Sequence, residues 1–207
     1  MQAVLDEFPA FVQGFQTTLF LTVVSGVLSL IFGTILAALR VAPMASLRWG
    51  ATVYVETVRN TPLTLVFVFF VFVLPTLGII LPLGTIPAII ALTVYTSAFV
   101  CEAVRSGINS VGVGQAEAAR SIGLGTTQTL SLIILPQALR SVIPPIISVL
   151  IALTKNTSVA AGFTVVELTS TGRRLSLTNP GDVIPILMGV AFFYLLITIP
   201  SGLLSGW

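Results

Sequence analysis

Long charge-free apolar runs, interrupted by short polar segments, dominate this chain. The first extends from Phe15 to Leu39, and at about 1.5 Å per residue it suffices for one tilted membrane helix over 15–40. Arg40, Pro43, Arg48 and Trp49 then mark an interface and a turn. The next charge-free run, Asn60 to Cys101, is too long for a single span. Pro75, Gly78, Pro82, Gly84 and Pro87 punctuate its middle, which predicts two helices near 53–76 and 86–107 joined by a tight turn. Pro62 falls early in the first of these and predicts a kink there. Thr127 to Ile134 reads as a short surface helix broken before Pro136. Apolar residues resume at Leu139 and pass through Pro144 and Pro145, giving a fourth span over 138–161. Phe163 to Asp182 is polar and reads as an external loop that opens with a short helix. The last run, Val183 to Trp207, supplies a fifth span over 183–205. The stretch before Phe15 mixes Asp6, Glu7, Phe8, Pro9 and Phe11, which suits an interfacial segment.

Composition supports a membrane reading. Only 8% of the 207 residues are charged, whereas soluble domains carry about a quarter, and mean hydropathy is +1.09. The runs lack the two-residue alternation of a barrel, so the expected fold is an all-α polytopic membrane protein of five transmembrane helices. The N-terminus carries Asp6 and Glu7 rather than a basic region, so the first run reads as a retained span. A net charge of +2, scattered along the chain, argues against a nucleic-acid surface. Histidine is absent and Cys101 is the sole cysteine, which excludes disulfide frameworks, zinc sites and Cys/His catalysis within the chain.

Five spans place the termini on opposite sides. Arg40, Arg48, Arg105, Arg120 and Arg140 fall on one side, against Arg173 and Arg174 on the other. The positive-inside rule then predicts an external N-terminus, a cytoplasmic C-terminus and a cytoplasmic loop around Glu117. That loop, Gly114 to Gly123, is a small-residue, charge-bearing interruption. Glu117, Ala118 and Ala119 favour a short helix, with Gly123 and Gly125 as its stop. So short a helix needs a partner surface to hold it, unless the loop is an ordinary connector.

Ionisable and polar groups near spans are the functional pointers, because burying one in a membrane costs several kcal/mol. Glu56, Arg59 and Thr61 open the second span; Glu102 and Arg105 share a helix face near the end of the third. Lys155, Asn156, Thr157 and Ser158 end the fourth, and Glu167 follows. The charged members either snorkel and pair with one another or line a solute path. A charge followed by three hydrogen-bonding residues at 155–158 suits a zwitterionic or polar solute. No Gly-Lys-Ser/Thr phosphate loop occurs, so this polypeptide does not hydrolyse nucleotides itself.

Glu117-Ala-Ala, three residues, Gly123, nine residues and then Ile133-Ile-Leu-Pro136 resembles the EAA loop of ABC importer permeases. Val58-Arg-Asn-Thr-Pro-Leu63, the stretch from Ala98 to Val111, Leu135-Pro-Gln-Ala-Leu-Arg140 and Lys155-Asn-Thr-Ser158 narrow the resemblance to the polar amino-acid uptake group, the histidine/glutamine/glutamate permeases. The resemblance covers about residues 10–205 and implies a single type I importer transmembrane domain over 1–207. It implies a second permease subunit, identical or paralogous, two cytoplasmic ATP-binding subunits that hold ATP and magnesium, and an extracytoplasmic amino-acid-binding protein. No cofactor is implied in this chain.

The loop 112–136 would carry the coupling helix that docks on the ATPase, through Gln115, Ala116, Glu117, Ala118, Ala119, Arg120, Gly123, Leu124 and Gly125. Arg59, Thr61, Glu102, Arg105, Lys155, Asn156, Thr157 and Ser158 are the substrate-pathway candidates. Asn60 stands where the family often has Gly and Asn156 where it often has Asp, and the sequence stops at Trp207, before the position of the family's basic tail. Lys155, Arg59 and Arg105 offer cations and position 156 has no acid, which favours glutamate or glutamine as solute. An ion-gradient-driven carrier or a channel is the alternative. A membrane enzyme is disfavoured because Glu56, Glu102 and Glu167 lie far apart in sequence.

Overall fold

A computed structural model describes residues 2–205, and all of the regular structure in it is helical. Gly206 and Trp207, which close the last apolar run, lie outside the described residues. A short α1 (Gln2–Asp6) leads into α2 (Phe8–Leu39), a helix of 32 residues. The first span therefore begins at Phe8 rather than Phe15. Pro9 is tolerated in its first turn, where a backbone N–H has no intrahelical acceptor, so the expected interfacial stretch is helical.

α2 is largely apolar, and apart from Phe11 and Leu21 its buried stripe is of small residues: Gly14, Thr18, Ser25, Gly26, Ser29, Gly33 and Ala37. Between apolar spans in lipid, close backbone approach drives association, and small residues permit it. That stripe packs against α6 (Thr85–Asn109), with the Ser29 hydroxyl donating to the Thr93 carbonyl at 3.4 Å. A Cβ added at Gly33 would meet Val100 at 2.5 Å, so glycine is what lets the two helices touch.

The second expected span is corrected by the structure. α3 (Ala45–Arg59) and α4 (Leu63–Val68) meet at 107° instead of forming one kinked helix over 53–76. Thr61 precedes a proline, which disfavours its helical conformation, and Pro62 takes an extended ψ of 135° as the cap of α4. The chain breaks there. α4 runs through a widened π-turn, Phe69–Val73, into α5 (Leu74–Thr76). Gly78 and Gly84, at φ 84° and 108°, turn the chain into α6. Phe67 is fully buried and stacks on Phe163 at 5.0 Å.

After α6 come α7 (Val113–Ser121), α8 (Thr126–Gln128), a second π-turn (Thr129–Ile134) and α9 (Leu135–Asn156), which continues as a 3-10 turn over Thr157–Gly162. The expected break before Pro136 is absent. Both π-turns end two residues before a proline, Pro75 and Pro136, and the widened turn accommodates the missing N–H and the ring. α9 also continues across Pro144 and Pro145.

The polar segment after Phe163 is not a solvated loop. It folds into α10 (Leu168–Thr178), whose Leu168, Thr171, Gly172 and Leu175 are buried against α2 and α11 (Val183–Ser205). Among the described residues four helices are long and apolar enough to cross a membrane, and the bent pair α3 plus α4–α5, counted as one span, makes a fifth.

Candidate functional site

α7 is a short helix held out from the bundle. Ala119 is its one buried residue and rests over the second π-turn, where Thr129 is buried too. Gln115, Glu117, Ala118 and Arg120 are exposed, Ala116 is half-buried, and Val113 and Ile122 are 75% and 76% exposed. The helix ends in a Schellman motif. Gly123 N–H donates to Arg120 O at 3.0 Å and Leu124 N–H to Ala119 O at 3.1 Å, with Gly123 at φ 86°. The Gln128 side chain then accepts from Gly125 N–H at 3.0 Å, and the Gln137 amide reaches Gln115 Oε1 at 3.4 Å. The helix is thus firmly terminated and leaves two large apolar side chains, Val113 and Ile122, uncovered by the rest of the chain's described residues.

At the end of α6 nearest α7, Glu102 gathers three arginines. It pairs with Arg40 from the end of α2, with Arg59 of α3 at 3.8 Å, and with Arg105 one turn on at 3.5 Å. Arg40 also meets Glu56 at 3.7 Å. This strut ties α2, α3 and α6 together. Arg40 was legible only as an interface charge; its partner lies 62 residues away, a separation that no local pattern reports.

Asn156 sits elsewhere, in a cavity of about 260 Å³ between α6 and α9, lined by Tyr95, Thr96, Phe99, Val149 and Ala152. The Thr96 hydroxyl is buried and has no hydrogen-bond partner among the described residues. Arg59 joins strut and cavity, its guanidinium carbon 5.8 Å from the centre of the Phe99 ring. In the sequence Tyr95, Thr96 and Phe99 lie inside an apolar run, and the polar trio Thr93, Thr96 and Ser97 on one helix face is the signal that marks them.

Lys155 is exposed and does not line the cavity, whereas Thr157 is buried and donates to Thr154 O at 2.7 Å. Ser158 donates to Lys155 O at 2.7 Å, and Thr61 to Thr57 O at 2.8 Å. Arg105 faces a different groove, between α2 and α6. The eight pathway candidates thus divide between the strut, the cavity and local backbone bonds. An outward stripe of α9, Arg140, Pro144, Ser148, Ala152 and Lys155, is left uncovered by the rest of the chain.

Glu167 is fully buried at the start of α10. It accepts from Ser170 N–H at 2.7 Å, from Tyr194 OH at 3.0 Å and from Thr18 OH at 3.4 Å, joining α2, α10 and α11.

Residues 11–207 match the family described as "Binding-protein-dependent transport system inner membrane component". The chain belongs to that family. Among its relatives, this permease is 42% identical over 210 residues to the "Glutamate transport system permease protein GluC" of Corynebacterium efficiens, covering 96% of this chain and 92% of that one. It is 40% identical over 198 residues to the "Probable glutamine ABC transporter permease protein GlnM" of Bacillus subtilis, covering 96% and 91%. The crystal structure of "an amino acid ABC transporter with histidines" superposes with a TM-score of 0.89 at 25% identity, over 99% of this chain and 95% of that one. The permease is a multi-pass inner-membrane subunit of an ABC importer. ATP hydrolysis belongs to a separate subunit, and a substrate-binding protein completes the transporter.

Proposed function

We propose that this permease moves a polar amino acid of the glutamate/glutamine type into the cytoplasm, driven by ATP hydrolysed on its partners. The observation that carries this reading is α7: nine residues, stopped by a Schellman turn at Gly123 and exposing Val113, Ala118 and Ile122 outside the bundle. In our reading α7 is the coupling helix and seats in a groove of an ATP-binding subunit, with Glu117 and Arg120 available to pair across the contact. Two such subunits hold ATP and magnesium. A second permease subunit, identical or paralogous, faces the uncovered stripe of α9, where the small Ser148 and Ala152 permit close helix approach between Arg140 and Lys155.

The solute then passes between the two permeases and pauses beside Asn156, Thr96 and Tyr95, whose amide and hydroxyls suit a zwitterion with a polar side chain. The relatives named for glutamate and glutamine transport support that choice. The arginine-rich ends of α2, α6 and α9 support a cytoplasmic α7, an external N-terminus and a cytoplasmic C-terminus.

The test is the Gly123→Pro variant, reconstituted in liposomes with the ATP-binding subunits, the second permease and the binding protein. Proline cannot adopt the φ of 86° at this position. ATP-driven uptake of labelled glutamate or glutamine is expected to vanish while membrane insertion is unchanged. Uptake at the unmodified rate would reject the docking role.

A further inference from the structure

A second groove, of about 340 Å³, lies between the neighbouring C-terminal ends of α2 and α6. It begins one residue beyond Gly33, where the two helices touch. Ala38, Val41, Val104 and Ile108 make its walls apolar, and Arg105 and Asn109 make its end polar. Val41 and Ile108 are 73% and 50% exposed, so none of the described residues covers the groove. Its polar end lies where the charge-free run of α2 stops, at the level of the Arg40–Glu102 pair. That is headgroup depth, with the apolar walls extending toward acyl depth.

The charge there is unbalanced. Three guanidinium groups, Arg40, Arg59 and Arg105, share two carboxylates, Glu56 and Glu102. Arg105 meets Glu102 through Nη1 at 3.5 Å and also lines the groove. A planar guanidinium beside an exposed amide is a good recognition pair for a phosphate diester.

We propose that this groove binds an anionic phospholipid of the surrounding bilayer, with its phosphate on Arg105 and Asn109 and the start of one acyl chain along Ala38, Val41, Val104 and Ile108. A second copy docked symmetrically on the same face would bring two Arg105 side chains together, so charge favours the lipid. The bound phosphate supplies the negative charge that the strut lacks. Anionic lipid thereby steadies the contact between α2, α3 and α6.

The test is native mass spectrometry of the full chain released from nanodiscs of equal phosphatidylglycerol and phosphatidylcholine. Preferential retention of phosphatidylglycerol is expected, and Arg105→Gln should reduce that preference about fivefold, the loss of one arginine contact near the surface. Ala38→Phe fills the groove without changing charge and should lower the retention of phosphatidylglycerol; Ala38 is exposed, so this variant carries the test if Arg105→Gln fails to insert. Equal retention of both lipids by the unmodified chain, or phosphatidylglycerol retention by Ala38→Phe equal to that of the unmodified chain, would overturn the proposal. So would efficient disulfide formation between two copies carrying Ala38→Cys, which would place a protein over the groove.

Discussion

Glu167 shows how much one side chain can organise in a membrane interior. It caps α10 through Ser170 N–H and accepts from hydroxyls on α2 and α11. Truncation to alanine leaves those donors buried and unmatched, at about 1–3 kcal/mol for each one unsatisfied. Glutamine keeps an accepting oxygen. Glu167→Ala should therefore lower the melting temperature of the purified protein in detergent clearly more than Glu167→Gln does; equal melting temperatures would sink the capping account. In sequence Glu167 was visible only as one acid in a polar stretch. Its partners Thr18 and Tyr194 come from opposite ends of the chain, so its burial is a property of the assembled bundle.

Among elements, the long spans were legible because uninterrupted apolar runs leave few alternatives, and α6 falls within two residues of its expected ends. Prolines were harder to read. Pro62 ends a helix, Pro75 and Pro136 sit behind π-turns, and Pro144 and Pro145 are absorbed without a break. The same residue has three outcomes because packing around it, not its own ring, decides whether the lost hydrogen bond is tolerated.

The π-turn before Pro136 holds one residue more than an α-turn would, and it lies between α7 and α9. Pro136→Ala restores the N–H and permits that turn to tighten, which would rotate α7 by about 100° around the axis of α9. Uptake per ATP hydrolysed should fall in reconstituted complexes while the protein still inserts and assembles. An unchanged ratio would mean that the turn has no part in coupling.

At the scale of the whole molecule, the bundle has a lipid side and a side that needs company. The mid-helix residues that α2 exposes, Phe20, Val27 and Ile31 among them, are apolar, whereas α9 exposes Arg140, Ser148 and Lys155 beside the apolar Leu139 and Ile143. Cys101 is buried, so the natural chain already provides a quiet background for introduced thiols. In the assembled transporter, Ser148→Cys should react with a charged, water-soluble maleimide, and Ile31→Cys should not. The reverse result would move the solute path away from α9. This asymmetry was only half legible: the charges at 140 and 155 could be counted, but whether the chain's own helices would cover them depended on where α10 and α11 packed.

From Thr126 to Gly162 the chain is a single helical rod of 37 residues. At 1.5 Å per residue that is about 55 Å, well beyond the roughly 30 Å of hydrocarbon it has to cross. One end carries the base of α7 and the other the Asn156 cavity, with no joint between them. A rod of this kind acts as a pushrod. If one end is displaced about 2 Å, in the range of ordinary helix shifts, the far end must move in the same stroke. Force on the outlying knob would pass only the hydrogen-bonded turn Ile122 to Gly125 before it reached the rod, so the slack in this machine must lie at the corners Asn60 to Pro62, between α3 and α4, and Ser110 to Gly112, between α6 and α7.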